Sequence, residues 1–161
     1  MQSTNEPLEA LVGGWLRRQG LWLATAESCT GGLVADRITD VPGSSDYFKG
    51  GVVAYANQAK VELLGVNPET LAQYGAVSEQ TALEMARGAR RALGADIGLS
   101  TTGVAGPGGG SPHKPVGLVW IALSAPDREL ASSQVWPGDR LAIKAQSAQA
   151  ALALLAGYLN E

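Results

Sequence analysis

Apolar residues recur at Leu8, Leu11, Val12, Trp15 and Leu16, the i, i+3, i+4, i+7, i+8 spacing of a helix with one buried face. Asn5 is the expected N-cap and Gly20 the stop. Gly13 and Gly14 lie inside this helix and weaken it by about 1 kcal/mol each relative to alanine. The apolar run at residues 21–26 then predicts a short buried strand, and residues 30–39 a helix with Leu33, Val34 and Ile38 inward. Residues 40–49 (DVPGSSDYFK) are turn-forming, and residues 51–55 form a second short apolar strand. Asn57–Leu64 reads as a helix ended by Gly65, and Pro68–Tyr74 as a helix with proline in its first turn. Ser78 is placed to cap a helix in which Ala82, Ala86, Ala89 and Leu93 keep helical spacing, with Gly94 beyond its end. Residues 96–102 (DIGLSTT) read as a third strand and residues 103–115 (GVAGPGGGSPHKP) as a loop. Residues 116–124 form a central strand, with an antiparallel neighbour at residues 130–136. From Asp139 a last helix carries the apolar stripe Leu141, Ala145, Ala148, Leu152, Leu155 and Leu159.

Strands interleaved with helices predict an α/β fold, a three-layer α/β/α sandwich with a mixed, mostly parallel sheet. No repeat or linker divides the chain, so residues 1–161 are expected to form one domain. A chain of 161 residues hides about two-thirds of its extended surface on folding, enough for a core without staples. A net charge of −3 argues against nucleic-acid binding by neutralisation of many phosphates. Cys29 is the sole cysteine, so no internal disulfide forms and a reducing, cytoplasmic compartment is expected. With His113 as the sole histidine, the chain cannot build a Cys/His zinc site. No apolar run approaches the ~20 residues of a membrane span, and the first residues lack the basic and apolar regions of a signal peptide. Glycine is the compositional outlier at 21 residues, and its clusters coincide with the segments that can carry chemistry.

The first such segment is AESCTGG, residues 26–32. The predicted strand-to-helix join sets Ser28 beside a helix N-terminus, where unpaired N–H groups and the dipole favour negative charge. Thr30, Gly31 and Gly32 complete the turn, and the two glycines allow close approach to its backbone. Such a setting suits a nucleophilic serine; the alternative is that Ser28 caps the helix and the glycines only pack. Cys29 is a rival nucleophile, but the usual Cys–His pairing would require His113, which lies in an unrelated loop. The second segment, VVAYANQAK at residues 52–60, contributes Tyr55 at a strand end and Lys60 on a helix. A serine–lysine dyad follows the logic of a catalytic triad, provided the lysine is desolvated; the alternative is a solvated surface lysine. The third, STTGVAGPGGG at residues 100–110, runs a strand into a glycine loop, with Thr102 at the strand end and Gly106 and Gly108 in the loop. It matches neither a Walker A loop nor the dinucleotide fingerprint, because Pro112, His113, Lys114 and Pro115 follow where a helix is required. The fourth is WPGDR at residues 136–140, where Arg140 can pair with Asp139 or hold a phosphate in bidentate fashion.

Taken in order, AESCTGG, VPGSSDYFKGGVVAYANQAK, GAVSEQTA, GADIGLSTTGVAGPGGGSPHKPVGLVWIAL and PGDR resemble the CinA C-terminal domain family over about residues 5–160. The resemblance implies a three-layer α/β/α sandwich that hydrolyses the carboxamide of nicotinamide mononucleotide, giving nicotinate mononucleotide and ammonia in pyridine nucleotide salvage. It implies no metal and no organic cofactor, and a homodimer or larger homo-oligomer. Carried over, Ser28 is the nucleophile, Lys60 the base and Tyr55, the tyrosine of the YxNxxK stretch, the third expected catalytic residue, orienting the nucleotide with Thr102. Thr102 precedes the glycine loop, and Arg140 is the PGDR arginine. Backbone N–H groups of Thr30, Gly31 and Gly32 would hold the oxyanion, while the loop of Gly106 and Gly108 with Arg140 would meet the phosphate. Family members often carry arginine where this chain has Lys144, which keeps charge and loses bidentate geometry. The family domain is often fused behind a larger one, and this chain reads as the stand-alone form. Two other functions are consistent with the same residues: a non-catalytic nucleotide-binding or partner-binding paralogue, and a serine amidase or esterase for another small amide.

Overall fold

The computed structural model of the chain describes residues 5–161. Helix α1 (Leu8–Gln19) leads into strand β1 (Leu23–Glu27), helix α2 (Leu33–Thr39), a 3-10 turn (Ser44–Asp46) and strand β2 (Phe48–Val53). Helices α3 (Asn57–Leu64), α4 (Pro68–Tyr74) and α5 (Glu79–Leu93) follow, then strands β3 (Ile97–Gly103), β4 (Leu118–Ser124) and β5 (Glu129–Val135) and the long helix α6 (Arg140–Leu159). The sheet order is β2-β1-β3-β4-β5. β1 pairs in parallel with both β2 and β3, while β3–β4 and β4–β5 pair antiparallel. The sandwich is as expected, but the sheet is evenly divided rather than mostly parallel. The reason lies in the connections: segment 104–117 and the tight turn after Ser124 contain no helix to carry a parallel crossover.

The strand period of two sorts the core into layers. Leu23, Ile97, Leu99, Val119, Ile121 and Leu123 pack with Val12, Leu16, Ile38 and Leu152 in one buried cluster, the side covered by α1, α2 and α6. On the opposite face the sheet offers small side chains, and Ala24 and Ala26 pack against Met85 and Ala89 of α5. Ala122 meets Ala82 and Ala86 in the same layer. The approach is closest at Gly98, where a Cβ would run into the Ala86 carbonyl oxygen. Ser100, also on this face, donates its hydroxyl to the Ala82 carbonyl at 2.6 Å. Among the described residues, no helix is long and apolar enough to cross a membrane.

Local signals account for most element ends. Ser78 accepts the Thr81 N–H at 3.2 Å and Asp139 the Ala142 N–H at 2.9 Å, each as an N-cap. Gly20, Gly65 and Gly94 terminate α1, α3 and α5 in the left-handed conformation. Three expectations are corrected. Pro7, not Asn5, occupies the N-cap of α1, with its fixed φ of −64° and no side-chain cap. Helix α2 begins at Leu33 rather than residue 30, because Gly31 and Gly32 take φ of 61° and 105°, outside the helical region. In α6, Leu141 is 72% exposed and Ala145 is also exposed; the inward row runs through Ile143, Ser147, Ala148, Ala151, Leu152, Leu155 and Leu159. A helix so rich in alanine and leucine offers more than one apolar stripe, and its packing on α1 and the sheet selects among them.

Candidate active site

β1, β2 and β3 run parallel, so their carboxyl ends share one edge of the sheet. The reversal at β4 and again at β5 returns the chain to that same edge, where Val135 pairs with Leu118 and the chain continues to Arg140. Segments distant in sequence therefore meet around one cavity of about 330 Å³. Its lining includes Ser28, Tyr55, Lys60, Thr102, Gly106, Gly108 and Arg140, seven of the residues singled out from sequence.

Ser28 extends the ladder one residue beyond β1, its N–H donating to the Thr101 carbonyl at 3.0 Å. Lys60 lies on the inward face of α3 and is 1% exposed. Its Nζ stands 3.0 Å from Ser28 Oγ and 3.0 Å from the Tyr55 carbonyl oxygen. No carboxylate bonds to this amine among the described residues, and burial pulls its pKa below the ordinary lysine value, against a weaker opposing influence of Cys29. Burial thus favours the uncharged form of this amine more than it would for a solvated lysine. Cys29 is buried, which pushes its thiol up to about 12 and keeps it protonated, unlike a catalytic thiolate.

The remaining expected residues divide. Tyr55 is 61% exposed; its hydroxyl accepts from Arg140 Nη2 at 2.9 Å, so the ring lies at the cavity mouth and its own carbonyl, not the hydroxyl, meets Lys60. Arg140 Nη1 donates to the Gly106 carbonyl at 2.7 Å, which binds the glycine loop to the start of α6. Thr102 donates its hydroxyl to the Ala76 carbonyl at 2.8 Å and thereby fixes the wall formed by Ala76 and Val77. Thr30, Gly31 and Gly32 do not line the cavity. The Thr30 hydroxyl points inward, 2.5 Å from Glu27 Oε1 and 2.7 Å from Thr101 Oγ1. The Gly31 N–H donates to the Ser28 carbonyl at 3.0 Å, while those of Thr30 and Gly32 have no partner among the described residues. Lys144 extends toward Gly31, outside the cavity lining.

Sequence reasoning missed Glu27. Its carboxylate accepts the N–H groups of Val34 at 2.8 Å and Ala35 at 3.1 Å, and so occupies the α2 N-terminus that was expected to face Ser28. The available signal was a charged residue closing the otherwise uncharged strand LATAE a few residues before a helix. Ala76, Val77 and Asn57 also line the cavity and carried no motif to reveal them. Among the described residues, no group of three His, Cys, Asp or Glu side chains is placed to hold a metal ion.

Fold and site together define an α/β/α sandwich with a buried serine–lysine pair at the carboxyl edge of its parallel strands. A model of the family described as the CinA C-terminal domain matches residues 5–159. The chain belongs to that family. A CinA-like protein of Chloroherpeton thalassium is 51% identical over 162 residues, 98% of this chain, which spans 39% of the length of that relative. A nicotinamide-nucleotide amidohydrolase PncC of Enterobacter agglomerans is 52% identical over 142 residues, covering 88% of this chain and 87% of that one. The crystal structure of the competence/damage inducible protein CihA from Agrobacterium tumefaciens superposes with a TM-score of 0.91 at 42% identity, over 100% of both chains.

Proposed function

We propose that the protein is an amidohydrolase that converts nicotinamide mononucleotide to nicotinate mononucleotide and ammonia through a Ser28–Lys60 pair. The observation that carries this reading is the 3.0 Å separation of Ser28 Oγ and a buried, carboxylate-free lysine amine inside a cavity that also holds Arg140. The similarity to an amidohydrolase of nicotinamide nucleotides supports the substrate. Neutral Lys60 accepts the Ser28 proton as Oγ attacks the carboxamide carbon. The C–N bond then breaks, and protonated Lys60 gives its proton to the departing ammonia. Water adds to the acyl-enzyme carbonyl as Lys60 takes a proton from it; the bond between the carbonyl carbon and Ser28 Oγ then breaks, Lys60 returns its proton to Oγ, and the acid leaves with Ser28 and neutral Lys60 restored. Arg140, at the cavity mouth, offers its guanidinium to the phosphate.

Ammonia release tests the scheme. Ser28→Ala is expected to lower the rate by about 10⁴-fold or more with the fold intact, and Lys60→Met to be nearly as damaging. Substantial turnover by the serine variant would refute a covalent path. Equal rates on nicotinamide and its mononucleotide would instead mark an amidase indifferent to phosphate, and binding without release a non-catalytic module.

A further inference from the structure

None of the steps above uses the side chain that immediately precedes Ser28. Glu27 is 1% exposed, at the end of a strand whose five residues are all buried. A carboxyl group is costly to bury, and here each oxygen is compensated. Oε1 accepts from Thr30 Oγ1 at 2.5 Å and from the Val34 N–H at 2.8 Å, and Oε2 from the Ala35 N–H at 3.1 Å. Thr30 Oγ1 in turn meets Thr101 Oγ1 at 2.7 Å. One network therefore joins the end of β1, the turn at residues 28–32, the first turn of α2 and the middle of β3. The turn needs such restraint, because Gly31 and Gly32 both sit at positive φ and have wide conformational freedom.

We propose that Glu27 is the positioning residue of this site: by clamping the first turn of α2 and the Thr30 hydroxyl, it holds the 28–32 turn so that Ser28 Oγ stands against Lys60 Nζ. The inference rests on the serine–lysine reading. Glu27 touches neither substrate nor the reacting atoms; it acts through the backbone of the turn. Losing the clamp lets Ser28 wander, and a misplacement of about 1 Å at a reacting atom can cost on the order of 10²-fold in rate. Glu27→Gln keeps size and shape but sets an amide NH2 against a backbone N–H at one of the two oxygen positions.

The test uses a fluorophosphonate, which needs no assumption about the natural substrate. Ser28 Oγ forms a bond to phosphorus, the P–F bond breaks, fluoride departs and Lys60 takes the hydroxyl proton. Mass spectrometry of the full chain follows labelling, and circular dichroism melting gives the folded fraction. Labelling of folded Glu27→Gln is expected to slow by about 10- to 100-fold. Its dependence on pH, set by Lys60, should remain as in the wild type, and the KM for nicotinamide mononucleotide should stay within about twofold while kcat falls. Thr30→Val, which removes only the hydroxyl arm of the clamp, should slow labelling by a smaller factor. A purely structural role would lower the melting temperature and leave the labelling rate of the folded fraction unchanged, and that result overturns the proposal. If Glu27→Gln does not fold, Thr30→Val decides by the same rate. If the wild type is labelled and both variants match it, Glu27 is not a positioning residue and the serine–lysine reading stands. A wild type that resists the probe removes the nucleophile itself, and the proposal with it.

Discussion

The proposed hydrolysis asks Lys60 to accept a proton, and the burial that favours this also sets the residue against the stability of the fold. An amine 1% exposed, with no carboxylate bonded to it among the described residues, is held below its ordinary pKa by burial. The unfolded chain binds a proton there that the folded chain does not, in the window from the lowered folded value up to about 10.4. Stability contributed by this group therefore grows as pH rises through that window and is lost as pH falls. Lys60→Met removes the penalty, so it is expected to be more stable than the wild type at pH 7, with the gap narrowing toward pH 10 in denaturant titrations. Turnover by the wild type should rise with pH on its acid limb, since protonated Lys60 cannot accept the Ser28 proton. A loss of stability in Lys60→Met at neutral pH would show that burial imposes no net penalty on the amine. The pairing itself was only half legible in the sequence. On α3, Leu63 is 55% exposed while Lys60 is buried, the reverse of what hydropathy assigns. Only the sheet, which brings the end of β1 against that helix, decides which face turns inward.

At the scale of elements, the packing of α5 on the sheet shows how sequence small-residue content becomes distance. Ala82, Ala86 and Ala89 face Ala24, Ala26 and Ala122, and Gly98 lets the Ala86 carbonyl come close to the strand backbone. Gly98→Ala would force α5 and β3 apart, at a cost of about 1–3 kcal/mol by chemical denaturation. A cost near zero would mean that the helix has room to shift. The helical spacing of α5, its Ser78 cap and its Gly94 stop were all readable in advance, because each rests on interactions within a few residues. The start of α2 was not. There the choice between continuing and breaking the helix at Gly31 and Gly32 was made by Glu27 and Thr101, the second of which lies on another strand.

Over the whole molecule, the change from parallel to antiparallel pairing is what delivers Arg140 to Ser28. Segment 104–117 is long enough for a parallel crossover, and its glycines and prolines, which form no helix, did not by themselves reveal the reversal. Motif order marked Arg140 as a member of the site; only the topology explains its arrival. Arg140 now bridges Gly106 and Tyr55 across the cavity mouth. Arg140→Ala is expected to raise the KM for nicotinamide mononucleotide by about 10-fold or more, with a much smaller change for nicotinamide, in parallel steady-state assays. Equal effects on both would assign Arg140 to shaping the loop alone. The same helix that starts with Arg140 runs for 20 residues, about 30 Å. Its far end is therefore a full helix length from the cavity mouth. A tether attached through Gly157→Cys, at an exposed position in the last turn of that helix with open space around it, would sit far from the entrance, so the protein can be anchored to a bead or an electrode there without the support standing in the way of what enters the cavity.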